Sequence, residues 1–186
     1  MFIFAGEKGV RFEAGTTTLQ TTAVTPSANP GVLSTGTLSK GLRAGETLTV
    51  TGSGALSDSF AVVGGTLNVE SGTLGFHMSA AFSEVNISGG NVGDRFSAFS
   101  GSTINITGGS VDSVFIASSS STVNISGGSV GVGFLANSGS IVNISGGSIG
   151  DAFKAASDST VNLVGTSFIL DGLELTELIV GEAFTI

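Results

Sequence analysis

Apolar and polar positions alternate in short runs that return every 19 residues. The clearest run is Val-Asn-Ile-Ser-Gly-Gly at 85–90, and close variants begin at 104, 123, 142 and 161. Alternation with a period of two predicts a strand with one buried face. The Gly-Gly pair ends each strand, because glycine adopts turn conformations that other residues avoid. A strict short period of this kind is typical of a solenoid built from stacked coils.

Within each coil the pattern predicts three short strands. In 85–103, Val85 and Ile87 mark the first strand, Val92 begins the second, and Phe96 and Ala98 mark the third. Alignment of the coils produces five apolar columns: Val85, Ile104, Val123, Val142 and Val161; Ile87, Ile106, Ile125, Ile144 and Leu163; Val92, Val111, Val130, Ile149 and Phe168; Phe96, Phe115, Phe134 and Phe153; Ala98, Ala117, Ala136 and Ala155. We expect each column to stack inside the solenoid with neighbours about 4.8 Å apart.

These columns predict an all-β fold, a single-stranded parallel β-helix of about seven 19-residue coils. No window has helical apolar spacing, and Gly-Gly pairs interrupt every coil. Earlier coils are looser: Leu48 and Leu67 begin first strands, and Val62, Leu74 and Phe76 are expected to continue the core. Connections between parallel strands are right-handed, so a right-handed solenoid is expected.

The two ends of the chain depart from the repeat. We predict an N-terminal hairpin, arm and cap over 1–45, repeats over 46–165, and a C-terminal cap or oligomerisation segment over 166–186. Open ends of a solenoid need covering, and both ends are rich in apolar side chains. The candidate docking residues are Phe2, Ile3, Phe4 and Phe12. The candidate oligomerisation or cap residues are Leu173, Leu175, Leu178, Val180 and Phe184.

Composition narrows the function classes. Of 186 residues, 40% are hydrophobic and only 11% are charged, which predicts a packed structure. The net charge is −8 and the six basic residues are scattered, so a nucleic-acid partner is not expected. Cysteine is absent, which excludes disulfides and thiolate metal sites. The sequence contains neither a membrane-spanning apolar run nor an ordinary secretory signal, and no cofactor is expected.

The five repeated asparagines, Asn86, Asn105, Asn124, Asn143 and Asn162, admit two interpretations. The first four stand in Asn-Ile-Ser or Asn-Ile-Thr, which is the acceptor pattern for N-glycosylation. Stacked amides can instead form a hydrogen-bonded ladder along the axis, and this structural interpretation is favoured. The alternation with Val and Ile predicts that the amides face outward.

The other polar positions do not predict a metal, catalytic or ice-binding site. Asp94, Asp112 and Asp151 lie near one corner, but calcium-binding repeats need nine-residue spacing, and Val132 interrupts the set. His77 is the single histidine, and no paired carboxylates recur for acid–base catalysis. The hydroxyl-rich runs at 100–103, 119–122, 138–141 and 157–160 are expected at a corner, where they would not form an ice-binding array. We therefore expect no enzymatic activity.

The Asn-Ile-Ser-Gly-Gly repeat over about 45–170 resembles the parallel β-helix domains of phage tail spikes and of capsid decoration proteins built like them. This resemblance implies a homotrimer whose N-terminal segment docks onto a major capsid or other virion protein. The function expected from it is a non-enzymatic structural role at the virion surface. The alternative is an extracellular or cell-surface adhesin or carbohydrate-binding module, with a glycan as partner. A polysaccharide lyase is the least favoured class.

Overall fold

The computed structural model describes residues 4–5, 8–12, 19–23, 31–39, 41–165, 168–170 and 173–175. The chain divides into two compact units, Met1–Pro30 and Gly31–Ile186. The first unit contains the antiparallel strands β1 (Phe4–Ala5), β2 (Lys8–Phe12) and β3 (Leu19–Ala23). Strand β2 is central, with Phe4 opposite Gly9 and Phe12 opposite Leu19.

The second unit is a parallel β-solenoid. Its strands are β4 (Gly31–Leu33), β5 (Thr37–Leu38), β6 (Thr47–Val50), β7 (Ala55–Leu56), β8 (Ala61–Val63), β9 (Thr66–Val69), β10 (Thr73–Leu74), β11 (Ser79–Ala81), β12 (Glu84–Ile87), β13 (Asn91–Val92), β14 (Ser97–Ala98), β15 (Thr103–Ile106), β16 (Ser110–Val111), β17 (Ile116–Ala117), β18 (Thr122–Val130), β19 (Leu135–Ala136), β20 (Ile141–Ile149), β21 (Lys154–Ala155) and β22 (Thr160–Leu163). Eight of these, β4-β6-β9-β12-β15-β18-β20-β22, stack as first strands over seven turns. Strands β18 and β20 continue through the Gly-Gly corner into the second-strand position.

The register is the one that the repeat predicts. Val85 pairs with Ile104 and Asn86 pairs with Asn105, and the same 19-residue offset continues to Asn162. The third strands form a second parallel sheet in the order β21-β19-β17-β14-β11-β8. The prediction of an all-β parallel β-helix with about seven coils is therefore confirmed.

The apolar columns fill the interior. Phe96, Phe115 and Phe134 are fully buried and stacked, and Phe153 is half-buried against Phe134 with ring centroids 5.0 Å apart. Below Phe96 this column continues through Met78 and Phe60, both buried. The side chains in the other predicted columns are also buried through the coil that ends near 140. In the last described coils Val142 is still buried, Ile144, Ile149, Val161 and Leu163 are half-buried, and Ala155 is exposed, contrary to the expectation that its column lies inside the solenoid.

Phe76 is not part of the core, contrary to the sequence-based expectation. Its side chain is 51% exposed, at a corner of the coil. The third strands of the early coils are 18 residues apart, so that Ser79 pairs with Ala61 and Ser97. Met78 therefore lies directly beneath Phe96, and Phe76, two residues earlier, lies at the preceding corner.

The Gly-Gly pairs have two different roles. A Cβ at the first glycine, as at Gly108, would collide with the carbonyl oxygen of Ser88 in the coil below. The second glycine, as at Gly109, has φ of 70°, a conformation that residues with a Cβ rarely adopt. The pair recurs because both positions need close backbone approach and the second also needs a left-handed turn; a Cβ at Gly109 would lie 2.6 Å from the carbonyl carbon of Gly89.

A second corner is left-handed without glycine in most coils. Its members, all with φ between 58 and 78°, are Ser59, His77, Arg95, Val114, Gly133 and Ala152. Their N–H groups bond to the next coil, as when Val114 N donates to the carbonyl oxygen of Val132 (2.8 Å). The corner hydrogen bonds hold these residues in a conformation that is unfavourable for β-branched side chains such as Val114.

The described strands outside 46–165 show how far the parallel ladder extends at each end of the repeat. Strands β4 and β5 pair in parallel with β6 and β7, which extends the ladder to Gly31. Beyond the solenoid, β23 (Phe168–Leu170) and β24 (Leu173–Leu175) pair with each other and are antiparallel. Phe168 pairs with Leu175. The expectation that Phe168 continues the Val92 column is therefore wrong. The capping roles of 1–45 and 166–186 stay predictions.

Candidate functional site

The repeated asparagines form one continuous ladder on the outer face of the first strands. Asn105 Nδ2 donates to Asn86 Oδ1, and Asn124 Nδ2 donates to Asn105 Oδ1, both at 2.8 Å. The other links have the same direction, from Asn86 to Asn68, from Asn143 to Asn124 and from Asn162 to Asn143. At the lower end, Asn68 Nδ2 donates to Thr49 Oγ1 (3.4 Å). The amide nitrogen that a glycan would modify is thus the ladder donor, which favours the structural interpretation of these residues.

Threonines form the neighbouring outward column. Thr103 and Thr122 lie on β15 and β18, two residues before the ladder asparagines, and not at a corner as expected from the sequence. Glu84 and Ile141 interrupt this column. The outer face of the first strands is thus a polar surface, in which regular threonines are broken by one acidic and one aliphatic side chain.

A column of buried serines follows the third strands and was missed from the sequence. Ser102, Ser121 and Ser140 each donate a hydroxyl hydrogen bond to the carbonyl three residues earlier. Ser83, also buried, has no hydrogen-bond partner. The corner before Glu84 is one residue shorter than the corner before Thr103. The residue three before Ser83 is therefore inward-facing Ala80, whose carbonyl already accepts the N–H of Phe99 (2.7 Å).

The aspartates near the left-handed corner join one coil to the next. Asp94 Oδ1 accepts the N–H of Ser113 (2.9 Å), and Asp58 Oδ1 accepts that of Phe76 (2.9 Å). Asp112 lies one position before the column of Asp94 and accepts from Asn91 Nδ2 (3.3 Å). Among the described residues, no group of three or more His, Cys, Asp or Glu side chains could hold a metal ion.

The third strands carry an apolar outer surface, here called the third-strand face. It consists of the outward residues of β8, β11, β14, β17 and β19 together with those that directly follow β14, β17 and β19; its large apolar members are Val63, Phe99, Ile116 and Leu135. Val63 is 51% and Phe99 46% exposed, and Phe82 at the adjoining corner is 70% exposed. The strict alternation around Phe96 and Ala98 places Phe99 outward, so the sequence pattern contained a signal for this exposed side chain.

The sequence-predicted docking residues are only partly within the described ranges. Phe4 lies in β1 and Phe12 in β2, whereas Phe2 and Ile3 lie outside the described residues. Leu173 and Leu175 lie in β24, and the positions of Leu178, Val180 and Phe184 are likewise not described. The structure therefore does not test the docking and oligomerisation roles, which stay predictions.

In the part of the chain that the structure describes, no helix is long and apolar enough to span a membrane. Comparisons of the chain with protein-family models, with curated proteins and with solved structures found no match.

Proposed function

We propose that this chain is a non-enzymatic structural component of a virus particle, a capsid decoration or spike-like protein displayed at the virion surface. The observation that carries the proposal is the use of the coil's polar groups. The ladder asparagines, the buried serines and the corner aspartates Asp58 and Asp94 make hydrogen bonds within a coil or to the next coil. Groups engaged in this way stabilise a scaffold and are not free to bind or activate a substrate.

The stacked architecture suits a protein under mechanical or chemical stress. Each coil contacts only its neighbours, and stability accumulates along the stack from identical interfaces. Face-to-face rings at Phe96, Phe115 and Phe134 and the parallel ladders give every interior coil the same support from both sides. A surface protein of a particle that must persist outside a cell benefits from such repeated support.

The docking part of the proposal rests on Met1–Pro30, which is a compact unit by itself. In this proposal its apolar residues, including Phe4 and Phe12, bind a major capsid or other virion protein, and the solenoid units associate as a homotrimer. Virion partners supply the contacts of the N-terminal segment, and copies of the same chain supply those of the solenoid.

The proposal is tested by locating the protein in its source. Antibodies raised against the solenoid unit are used to label density-purified particles for electron microscopy. Regular labelling of particle surfaces is the expected result, and removal of 1–30 should abolish incorporation while leaving the solenoid folded. Labelling confined to cell surfaces, together with a glycan-array signal, would instead support the adhesin or carbohydrate-binding alternative. Turnover of acidic polysaccharides by the purified chain would overturn the non-enzymatic assignment.

A further inference from the structure

We propose that the third-strand face is the surface through which the solenoid unit contacts a second copy of this chain. This inference rests on the self-association in the proposed function and assigns it to particular residues. From Ala61 to Asn137 the outward positions of the face hold no charged side chain, and Val63, Phe99, Ile116 and Leu135 make it apolar. The outer face of the first strands, in contrast, carries threonine and asparagine with Glu84.

Charge favours this face for contact between like copies. The chain has a net charge of −8, so two copies repel each other wherever their acidic side chains meet. Arg43, which aligns below Val63, and Lys154, which pairs with Leu135 in the next coil, lie beyond the two ends of the uncharged stretch. Interface centres are depleted of charged residues, as this stretch is.

The area of the face matches the need of a stable interface. Large apolar side chains present about 150–250 Å² each, so the exposed parts of Phe99 and Val63, together with Phe82 at the adjoining corner, sum to roughly 300 Å². Ile116 and Leu135, which are partly buried, add a smaller area. A stable interface buries about 800 Å² per partner, of which roughly 450–500 Å² is apolar. The apolar centre thus approaches the size that one neighbouring copy would cover, with the intervening serines as its polar rim.

A second copy also fits the spacing of the side chains. The outward residues recur once per coil, about 4.8 Å apart along the axis. A neighbouring solenoid has the same spacing, so its side chains can fit between those of the face along its whole length. A partner without this repeat would match the face at one or two coils only.

The test is sedimentation of the full chain over a range of concentrations. The variant is Phe99→Glu, and Phe76→Glu is the matched control because that phenylalanine is exposed to a similar extent at a different corner. We expect the wild type to associate, Phe99→Glu to raise the dissociation constant at least tenfold, and Phe76→Glu to leave it unchanged. A wild type that stays monomeric, or equal association of both variants, would overturn the proposal.

A cross-linking experiment tests the same surface without a charged substitution that could itself cause misfolding. The natural chain has no cysteine, so Ser118→Cys places a single thiol on the face, and Ser53→Cys places one on an exposed turn. Oxidation should cross-link Ser118→Cys into covalent dimers much faster than Ser53→Cys. Equal cross-linking rates, or exclusive cross-linking of Ser118→Cys to another virion protein, would overturn the assignment of the face to a second copy. Particle labelling does not depend on this result, so the two proposals can fail separately.

Discussion

The ring of Phe115 lies 4.8 Å from the ring of Phe134, and the two planes are inclined by only 13°. On its other side Phe115 stacks on Phe96, with ring centroids 5.1 Å apart. Aromatic pairs usually prefer offset or edge-to-face arrangements, but an in-register parallel ladder fixes equivalent side chains one strand spacing apart. Phe115 therefore has an aromatic neighbour above and below and is fully buried.

Replacement of Phe115 by alanine should strongly destabilise the solenoid. The change empties the middle of the stack, and a loss of about 3–5 kcal/mol in the free energy of unfolding is expected. Urea denaturation followed by circular dichroism measures it. The control is Phe76→Ala, because Phe76 is half exposed, and it should cost less than about 1 kcal/mol. Similar losses for both variants would contradict the central position of the stack in the core.

The amide ladder should contribute less than the ring stack. Asn105 donates to Asn86 and accepts from Asn124, but its side chain is only half-buried. Asn105→Ala should therefore cost near 1 kcal/mol, because water can replace part of the lost bonding. Asn162, exposed and bonded to Asn143, should cost less when changed to alanine. A loss for Asn105→Ala equal to that for Phe115→Ala would show that the ladder is effectively buried.

Two serines of the same column should respond differently to the same substitution. Ser102→Ala removes a hydroxyl that bonds to the carbonyl of Phe99, and a loss of about 1 kcal/mol is expected. Ser83→Ala removes a buried hydroxyl that has no partner, so the free energy of unfolding should stay unchanged or rise. Thermal unfolding of the two variants in parallel provides the comparison. A larger loss at Ser83 would mean that its hydroxyl has a partner in solution.

Close backbone approach alone should make the first glycine of each pair hard to replace. At Gly108 an added Cβ meets the backbone of Ser88, which cannot turn aside, so Gly108→Ala should cost about 3 kcal/mol or more. Gly45 has φ of 80° but open space around it, and Gly45→Ala should cost only the left-handed penalty of about 1–2 kcal/mol. Denaturation midpoints rank the two. The reverse order would indicate that torsion, and not close approach, selects the repeated glycine.

The left-handed corner offers a stabilising change. Val114 has φ of 62°, whereas the equivalent residue of the next coil is Gly133. Asparagine tolerates this conformation better than a β-branched residue, so Val114→Asn should raise the free energy of unfolding by up to about 1 kcal/mol. Ser53→Asn, at an exposed turn, serves as the control and should have no effect. A drop in stability for Val114→Asn would show that the valine side chain has a packing role at this corner.

The repeat predicted the fold because each coil contains the same spacing of buried residues, and a parallel register then follows from one alignment. The prediction failed at Phe76, because Met78 is the residue in register with Phe96, which leaves Phe76 at an exposed corner. It also missed the unpaired Ser83, since a hydroxyl partner depends on corner length, which the apolar pattern does not report.

The function is harder to predict from this sequence than the fold, for a physical reason. In the sequence, the five ladder asparagines and Asp94 stand out as candidate functional residues. In the structure these side chains form hydrogen bonds to neighbouring coils. The third-strand face, proposed above as a contact surface, has no distinctive repeated residue, and its extent is known only from the exposure of its side chains.

Because the coils stack in register, they are structurally equivalent and one can replace another. Excision of 104–122 would bring Asn124 onto Asn86 and Phe134 onto Phe96, so that every column closes over the gap. The length of the molecule can therefore change in whole steps of one coil without any new packing problem. A single-residue change in length is accommodated at a corner, as at the corner after the third strand, which is one residue shorter before Glu84 than before Thr103.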